Sequence, residues 1–518
     1  MNRLFKAEKN LIMLFFISAV SVFIISAALW FTQCNCFLDD DEHYALINGL
    51  KYSDIFKSLL FNEHGGGYFG YFLCKFMCFF VPLKLGIHPA DYLCSPLYNT
   101  VKGCFIVLIL LFMSKFAVFY HKSRLLYASA FFFLSNWLIY VFFSTISSIF
   151  YYNYNFYRYF FSIIFFSYLI YFILKNINSE NKSRINIFEL TAACLCAYIT
   201  GTSSEMLFMP AVILYIFLFI LKTAAKNFKI NKRIFIPFIF LTAAACLFVF
   251  SEGFQETAHY RGFLETHITL DYLFDFSKYY FIIYFKNYFM YWLVCAAAIG
   301  LTLLYCPDSR KNLIFPALFQ ISVLISYFSL ILCANESPYQ SNGCTYFLGH
   351  ANLIFLFFMI MTIPLFLYIS NLFEYFKNGR KVLYGFIFFI LICLSASVFS
   401  NHLFKTLPFE INNQRQINYK ADKLFRYQAL KGLKPVIPYS FIKERSTMWF
   451  NDTLWCDYTY YFAWVYGDKS FIGTKFTVDK TDETLNRFLS EGGVFTDEEL
   501  KNINFTRLKD DDFVLNKK

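Results

Sequence analysis

Four consecutive acids, Asp39, Asp40, Asp41 and Glu42, followed by His43 and Tyr44, are the residues of this chain best suited to chemistry. Like charges packed this closely repel one another. The crowding is costly unless cations or water compensate, and it raises the pKa of some members. A carboxylate of slightly raised pKa beside an apolar surface is what a general base for a hydroxyl needs. A solvated acidic cap that sets topology is the competing reading, but acids contribute little to topology. The run also offers hard oxygen ligands to a divalent cation, Mg or Mn. Its spacing matches no EF-hand or zinc signature, so no metal site is assigned.

A second candidate is the polar stretch Thr200-Gly201-Thr202-Ser203-Ser204-Glu205 between two apolar runs. An acid at the mouth of a membrane helix is a functional candidate by default. The alternative is a helix cap, with Ser203 or Ser204 capping and Glu205 complementing the helix dipole. A third is the aromatic loop 146–158, which contains Tyr154 and Arg158. Tyr and Asn suit sugar stacking and hydroxyl recognition, and Arg suits phosphate; an aromatic belt with a snorkelling Arg is the alternative. Arg261, Lys278 and His350 are further substrate-binding candidates.

These residues need elements to position them, and the composition says which kind. The 518 residues are 58% hydrophobic, 23% aromatic and only 16% charged. Soluble domains carry about a quarter charged residues. This balance excludes a soluble enzyme, a disordered chain and a disulfide scaffold. The net charge of +11 reads as membrane topology, and no nucleic-acid module is visible. The 15 cysteines show no zinc-like pairing. Most lie inside apolar runs as buried thiols, whereas Cys34 and Cys36 flank the end of the first run and are open to oxidation there.

Eleven runs are long and apolar enough to span a bilayer: 11–32, 97–120, 124–145, 157–174, 187–203, 205–222, 234–250, 281–305, 312–333, 349–372 and 381–401. Arg3, Lys6 and Lys9 place the N-terminus in the cytoplasm. Alternation then puts every basic short loop on that same side, including Lys222, Lys226, Lys229, Lys232 and Arg233. The apolar stretch 68–83 holds Lys75 and Pro82, and it is read as a helix lying in the outer interface. Residues 33–96 form the first outer loop, and 251–280 and 334–348 form further ones. Residues 402–518 form a small extracytoplasmic domain of mixed α/β character, and no internal repeat is evident. The expected fold is thus an all-α polytopic membrane protein of about 11 transmembrane helices over 1–401, with that C-terminal domain appended.

Acids just beyond an N-in first helix, a long first outer loop with an interfacial helix, many spans and an outer tail resemble the GT-C superfamily of integral-membrane glycosyltransferases. The likeness is strongest to bacterial polytopic families with an Asp-Asp-aromatic motif after the first helix and a small-residue turn ending in Glu. Here these are Asp40-Asp41 with Tyr44, and Gly201 to Glu205. Glu42 and His43 intervene before Tyr44, so the identity of the base stays open. The resemblance implies a polyprenyl-phosphate-linked sugar donor, a glycan or lipid-linked acceptor and an inverting mechanism. It implies Asp40 or Asp41 as base with Asp39 and Glu42 in support, and Glu205 orienting the acceptor. Outer cations such as Arg158, Arg261 or Lys278 would stabilise the leaving phosphate. The implied setting is cell-envelope polysaccharide biosynthesis at the inner membrane. The rival readings are a flippase or transporter of lipid-linked glycans, which would place charges near the midplane, and an O-antigen polymerase or ligase.

Overall fold

Apolar runs with few breakers fold as helices, and they do so along most of the described residues. The computed structural model describes residues 12, 15–27, 68–87, 92, 95–121, 156–177, 185–224, 231–251, 254–255, 270–305, 310–333, 363–365, 367–369, 372, 380–400, 436–438 and 477–479. In chain order α1 is Phe15–Ala27. α2 runs through Tyr68–Lys75, a π turn at Phe76–Phe80 and Val81–Lys84. α3 is Pro96–His121, and α4 is Ile163–Ile177 after a π turn at Phe156–Phe161. α5 is Ile187–Ser203, α6 is Glu205–Ala224, and α7 is Ile236–Val249 behind a 3-10 turn at Lys232–Phe235. α8 is Leu270–Tyr305, α9 is Arg310–Cys333 and α10 is Arg380–Ser400. In the tail, β1 (Val436–Pro438) pairs in parallel with β2 (Thr477–Asp479), Ile437 opposite Val478. The remaining described elements are helical.

α4 is the centre of the packing. Ile163, Phe166, Leu169, Ile170, Ile173 and Leu174 are all buried along one broad face, and Ile164, Phe165, Tyr168 and Tyr171 on the other side are partly buried. A helix that is apolar all round belongs in such a place. α5 and α7 cross tightly on small residues. A Cβ added to Gly201 would lie 2.6 Å from the Ala244 Cβ and 2.7 Å from the Leu241 carbonyl oxygen, so only glycine permits this approach. Gly103 of α3 plays the same part against α1, where an added Cβ would collide with the Ser26 hydroxyl.

From α4 to α7, successive helices alternate in direction. Lys175 at the end of α4 pairs with Glu189 at the start of α5. Tyr215 late in α6 meets Phe238 early in α7 at 5.1 Å, and Phe208 early in α6 meets Phe248 late in α7 at 5.9 Å. The start of α4, the end of α5 and the start of α6 therefore share one end of the bundle. The ends of α4 and α6 share the other with the starts of α5 and α7.

Outward faces are apolar as well: Phe23, Ile239, Leu247, Phe388 and Ile392 are all more than half exposed. Apolar groups facing outward suit lipid rather than water. Among the described residues, α6 and the Lys232–Val249 segment are long and apolar enough to cross a membrane.

Two expectations change in detail. The stretch 270–280, read as loop, is the opening of α8. Its Asp271, Asp275 and Lys278 interrupt hydropathy but not helicity, and α8 at 36 residues is about 54 Å long. That exceeds the roughly 30 Å hydrocarbon layer. The stretch 68–83 is helical as expected, and the added detail is that it packs along the bundle. Phe69 meets Phe165 at 5.1 Å, and further along Cys78 reaches Tyr98, which reaches Tyr157. The two segments thus run antiparallel. Gly86, at φ 67°, ends α2, and the Ile87 N–H donates to the Pro82 carbonyl at 2.9 Å in a Schellman closure. The expected span 124–145 lies outside the described residues.

Candidate functional site

The start of α3 is built by its own sequence. Ser95 is the N-cap, its hydroxyl accepting from the Tyr98 N–H at 3.2 Å, and Pro96 follows at the first helical position, where a missing N–H costs nothing. Asn99 adds a side-chain donation to the Ser95 carbonyl at 2.9 Å. This fixes the phase of the helix. Tyr98, Lys102 and Phe105 then fall at i, i+4 and i+7 on one face.

That face meets the π turn Phe156–Phe161. Lys102 is completely buried, its ammonium 5.1 Å from the Phe156 ring centre and 5.8 Å from that of Tyr98. Cation–π attraction of this kind strengthens when water is excluded. The Tyr98 and Tyr157 hydroxyls lie 3.3 Å apart. Cys78 of α2 stands 3.6 Å from the Tyr98 hydroxyl and 3.9 Å from Cys74. Phe105 braces the turn edge-on against Phe161 at 5.0 Å. Lys75 of α2 is buried too. Burial, and after it the Cys78 thiol, hold the Tyr92 phenol above its ordinary pKa, so it stays a neutral donor.

Two lysines, Lys75 and Lys102, are thus buried inside an apolar bundle, Lys102 against the Tyr98 and Phe156 rings. Buried charge is expensive and marks function by default. A π turn beside it fits the same pattern, because such turns collect at functional sites.

No family model, curated protein or solved structure matches this chain.

The assignment therefore stands on the chemistry of these side chains. Of the residues expected from the sequence, Arg158 lies in the π turn that faces Lys102, next to Tyr157. Lys278 is in α8, not in a loop. Asp39, Asp40, Asp41, Glu42, Tyr154, Arg261 and His350 lie outside the described residues. Glu205 opens α6 at the same end of the bundle as Arg158. The cap reading of its turn is realised by Ser204, an extended residue at φ −166°, ψ 144°. Its hydroxyl accepts from the Met206 N–H at 3.2 Å, and its carbonyl accepts from the Leu207 N–H at 3.0 Å. Thr202 donates to the Tyr198 carbonyl, and Ser203 to that of Ile199. The turn is nevertheless more than a cap. Thr200 to Ser204 are wholly buried, one Glu205 carboxylate oxygen is shut off from solvent, and the Thr200 hydroxyl has no hydrogen-bond partner.

Among the described residues, no three His, Cys, Asp or Glu side chains converge as a metal site would require.

Lys102 and Lys75 were not singled out for function by sequence reasoning. One signal for Lys102 existed: a cation between Tyr98 and Phe105 at helical spacing in the first turns of α3.

Proposed function

We propose that this chain is a GT-C-type glycosyltransferase of the inner membrane, with about eleven spans, a cytoplasmic N-terminus and an extracytoplasmic C-terminal domain. It transfers a sugar from a polyprenyl-phosphate-linked donor to a cell-surface glycan or lipid-linked acceptor. The observation that carries the reading is Lys102, fully buried among rings at the bundle end that also holds Arg158 and Glu205. The C-terminal end of α1 lies against α3 beside this face, with Ser26 on Gly103, the neighbour of Lys102. Asp39 follows Ala27 by twelve positions, a reach of up to about 40 Å.

In this reading Asp40 or Asp41 accepts the proton of an acceptor hydroxyl. That oxygen attacks the anomeric carbon from the face opposite the phosphate. The bond from anomeric carbon to phosphate oxygen breaks, polyprenyl phosphate leaves, and the configuration inverts. Lys102, with the Tyr98 and Tyr157 hydroxyls, stabilises the charge growing on the leaving phosphate; one such preorganised donor is worth about 10²–10³ in rate. Water exclusion strengthens every term of this field.

The test compares surface glycans by mass spectrometry in a deletion strain and in strains carrying wild type, Asp40→Asn, Asp41→Asn or Lys102→Met at matched membrane expression. Loss of one defined sugar in the deletion, in one Asn variant and in Lys102→Met is expected. An unchanged profile in the deletion removes the reading.

One observation favours a flippase for the same glycan-lipid: the cations Lys75 and Lys102 are buried within the bundle, where a moving anionic headgroup would pass. A purified protein that transfers sugar to acceptor in detergent, with no membrane to cross, excludes that alternative.

A further inference from the structure

The opposite end of the bundle carries a second cationic feature of different construction. From Met206 to Ser251 the chain has no acid, and it carries Lys222, Lys226, Lys229, Lys232 and Arg233. α6 ends and α7 begins within this stretch, and the described charges Lys222, Lys232 and Arg233 lie at the junction of the two helices. Lys222, half-buried, lays its ammonium 4.9 Å from the centre of the Phe235 ring and so bridges the two helices. Asn231 caps the 3-10 turn by accepting from the Arg233 N–H at 3.0 Å, which leaves the Lys232 and Arg233 side chains exposed. Glu189, a described acid at this end, is paired with Lys175.

The surface immediately beside these charges is apolar. Phe219 and Ile220 on α6, and Ile239 and Phe240 on α7, are exposed within two turns of Lys222 and Arg233. A cationic rim directly above an exposed aliphatic and aromatic face has the chemistry of one ligand in particular, an anionic headgroup joined to acyl chains. A peptide or a free anion would use the charge and leave the face uncovered.

We infer that the α6–α7 junction is a binding site for an acidic phospholipid. Its phosphodiester sits between Lys222 and the Lys232–Arg233 turn, and its acyl chains lie along Phe219, Ile239 and Phe240. The positive end of α7 adds to the attraction. The site is independent of the sugar-transfer reading, because it lies at the other end of the bundle and is measured without turnover.

The test reconstitutes the full chain into nanodiscs of phosphatidylcholine alone or of an equimolar mixture with phosphatidylglycerol. Native mass spectrometry after mild detergent extraction then counts retained lipid by headgroup. Wild type should retain phosphatidylglycerol in excess of its share. Retention should fall about fivefold for each charge removed in Lys232→Gln, Arg233→Gln and the triple variant with Lys222→Gln. Raising salt on the wild-type protein should lower it as well, which gives a readout free of any folding defect. Retention of the two headgroups in mixture proportion, or unchanged preference in the triple variant, overturns the inference. So does displacement of the lipid by inorganic phosphate alone, which would assign a plain anion site.

Discussion

Lys102 at one end of the bundle and Lys232 at the other are the same residue in opposite surroundings. Lys102 is sealed between the Tyr98 and Phe156 rings, whereas Lys232 stands exposed at the start of a helix. In the first place water is absent and the ammonium acts on whatever anion reaches it with little screening. In the second the charge is screened within about 10 Å and works only by addition to its neighbours. The difference teaches that a count of basic residues says nothing about their use. Burial divides them into a site and a surface.

Substitution of the two lysines gives the largest contrast. Under the sugar-transfer reading, Lys102→Met should lower product formation about 10²–10³-fold while the protein still accumulates, because Met fills a buried linear volume without charge. Lys232→Met should leave surface glycans unchanged. Glycan mass spectrometry at matched expression checks both. Equal loss from the two variants would erase the distinction between site and surface.

The packing that holds the two ends apart can be broken at Gly201. Gly201→Leu forces a side chain into Ala244 and the Leu241 carbonyl, and it should cost about 1–3 kcal/mol or more as α5 and α7 separate. Gly300 and Gly385 have open space where a Cβ would go. Gly300→Ala and Gly385→Ala should instead be neutral or stabilising by about 0.5–1 kcal/mol, since helical alanine outperforms glycine. Thermal unfolding in detergent measures all three. A tolerant Gly201 would mean that the α5–α7 crossing is looser than its geometry.

How much of this was legible beforehand follows from the same contrast. α6 and α7 stand out because the run from Glu205 to Phe250 is apolar for two bilayer widths and broken only by its basic loop. The opening of α8 was hidden because hydropathy detects membrane segments, not helices, and Asp271, Asp275 and Lys278 interrupt the first without disturbing the second. Lys75 and Pro82 suggest a wet face on α2, yet both are buried, and its Tyr68–Lys75 part packs on the π turn at 156–161, some eighty residues away in sequence. Lys102 was obscured for that reason also, since half of its cage, Phe156, comes from a distant segment. Local pattern places elements; only the fold says which charges they enclose.

A smaller effect separates the two roles of the α5–α6 turn. Ser204→Ala removes the α6 cap and should cost about 1 kcal/mol in stability. Glu205→Gln keeps the size and hydrogen-bonding reach of the side chain, so its stability change should be slight. A Glu205→Gln protein with full glycan output returns that residue to a capping role. Lost output with unchanged unfolding temperature places it in substrate handling.

The smallest effect belongs to the Lys175–Glu189 pair, which ties α4 to α5 at the lipid-binding end. Both side chains are about one-third exposed, 37% and 32%. Solvent screens such a pair, and its coupling should amount to about 0.2–1 kcal/mol in a double-mutant cycle of Lys175→Met and Glu189→Gln. The coupling should shrink in high salt. It also bears on the comparison of the two ends. Glu189 is a described acid at the same end as the Lys222–Arg233 cluster, and Lys175 keeps it occupied. Lys175→Met alone frees that carboxylate to compete with a lipid phosphate, and should weaken phosphatidylglycerol retention with little change in stability. If retention rises or holds steady, Glu189 is too far from the junction to matter, and the cluster draws its lipid without competition from within the bundle.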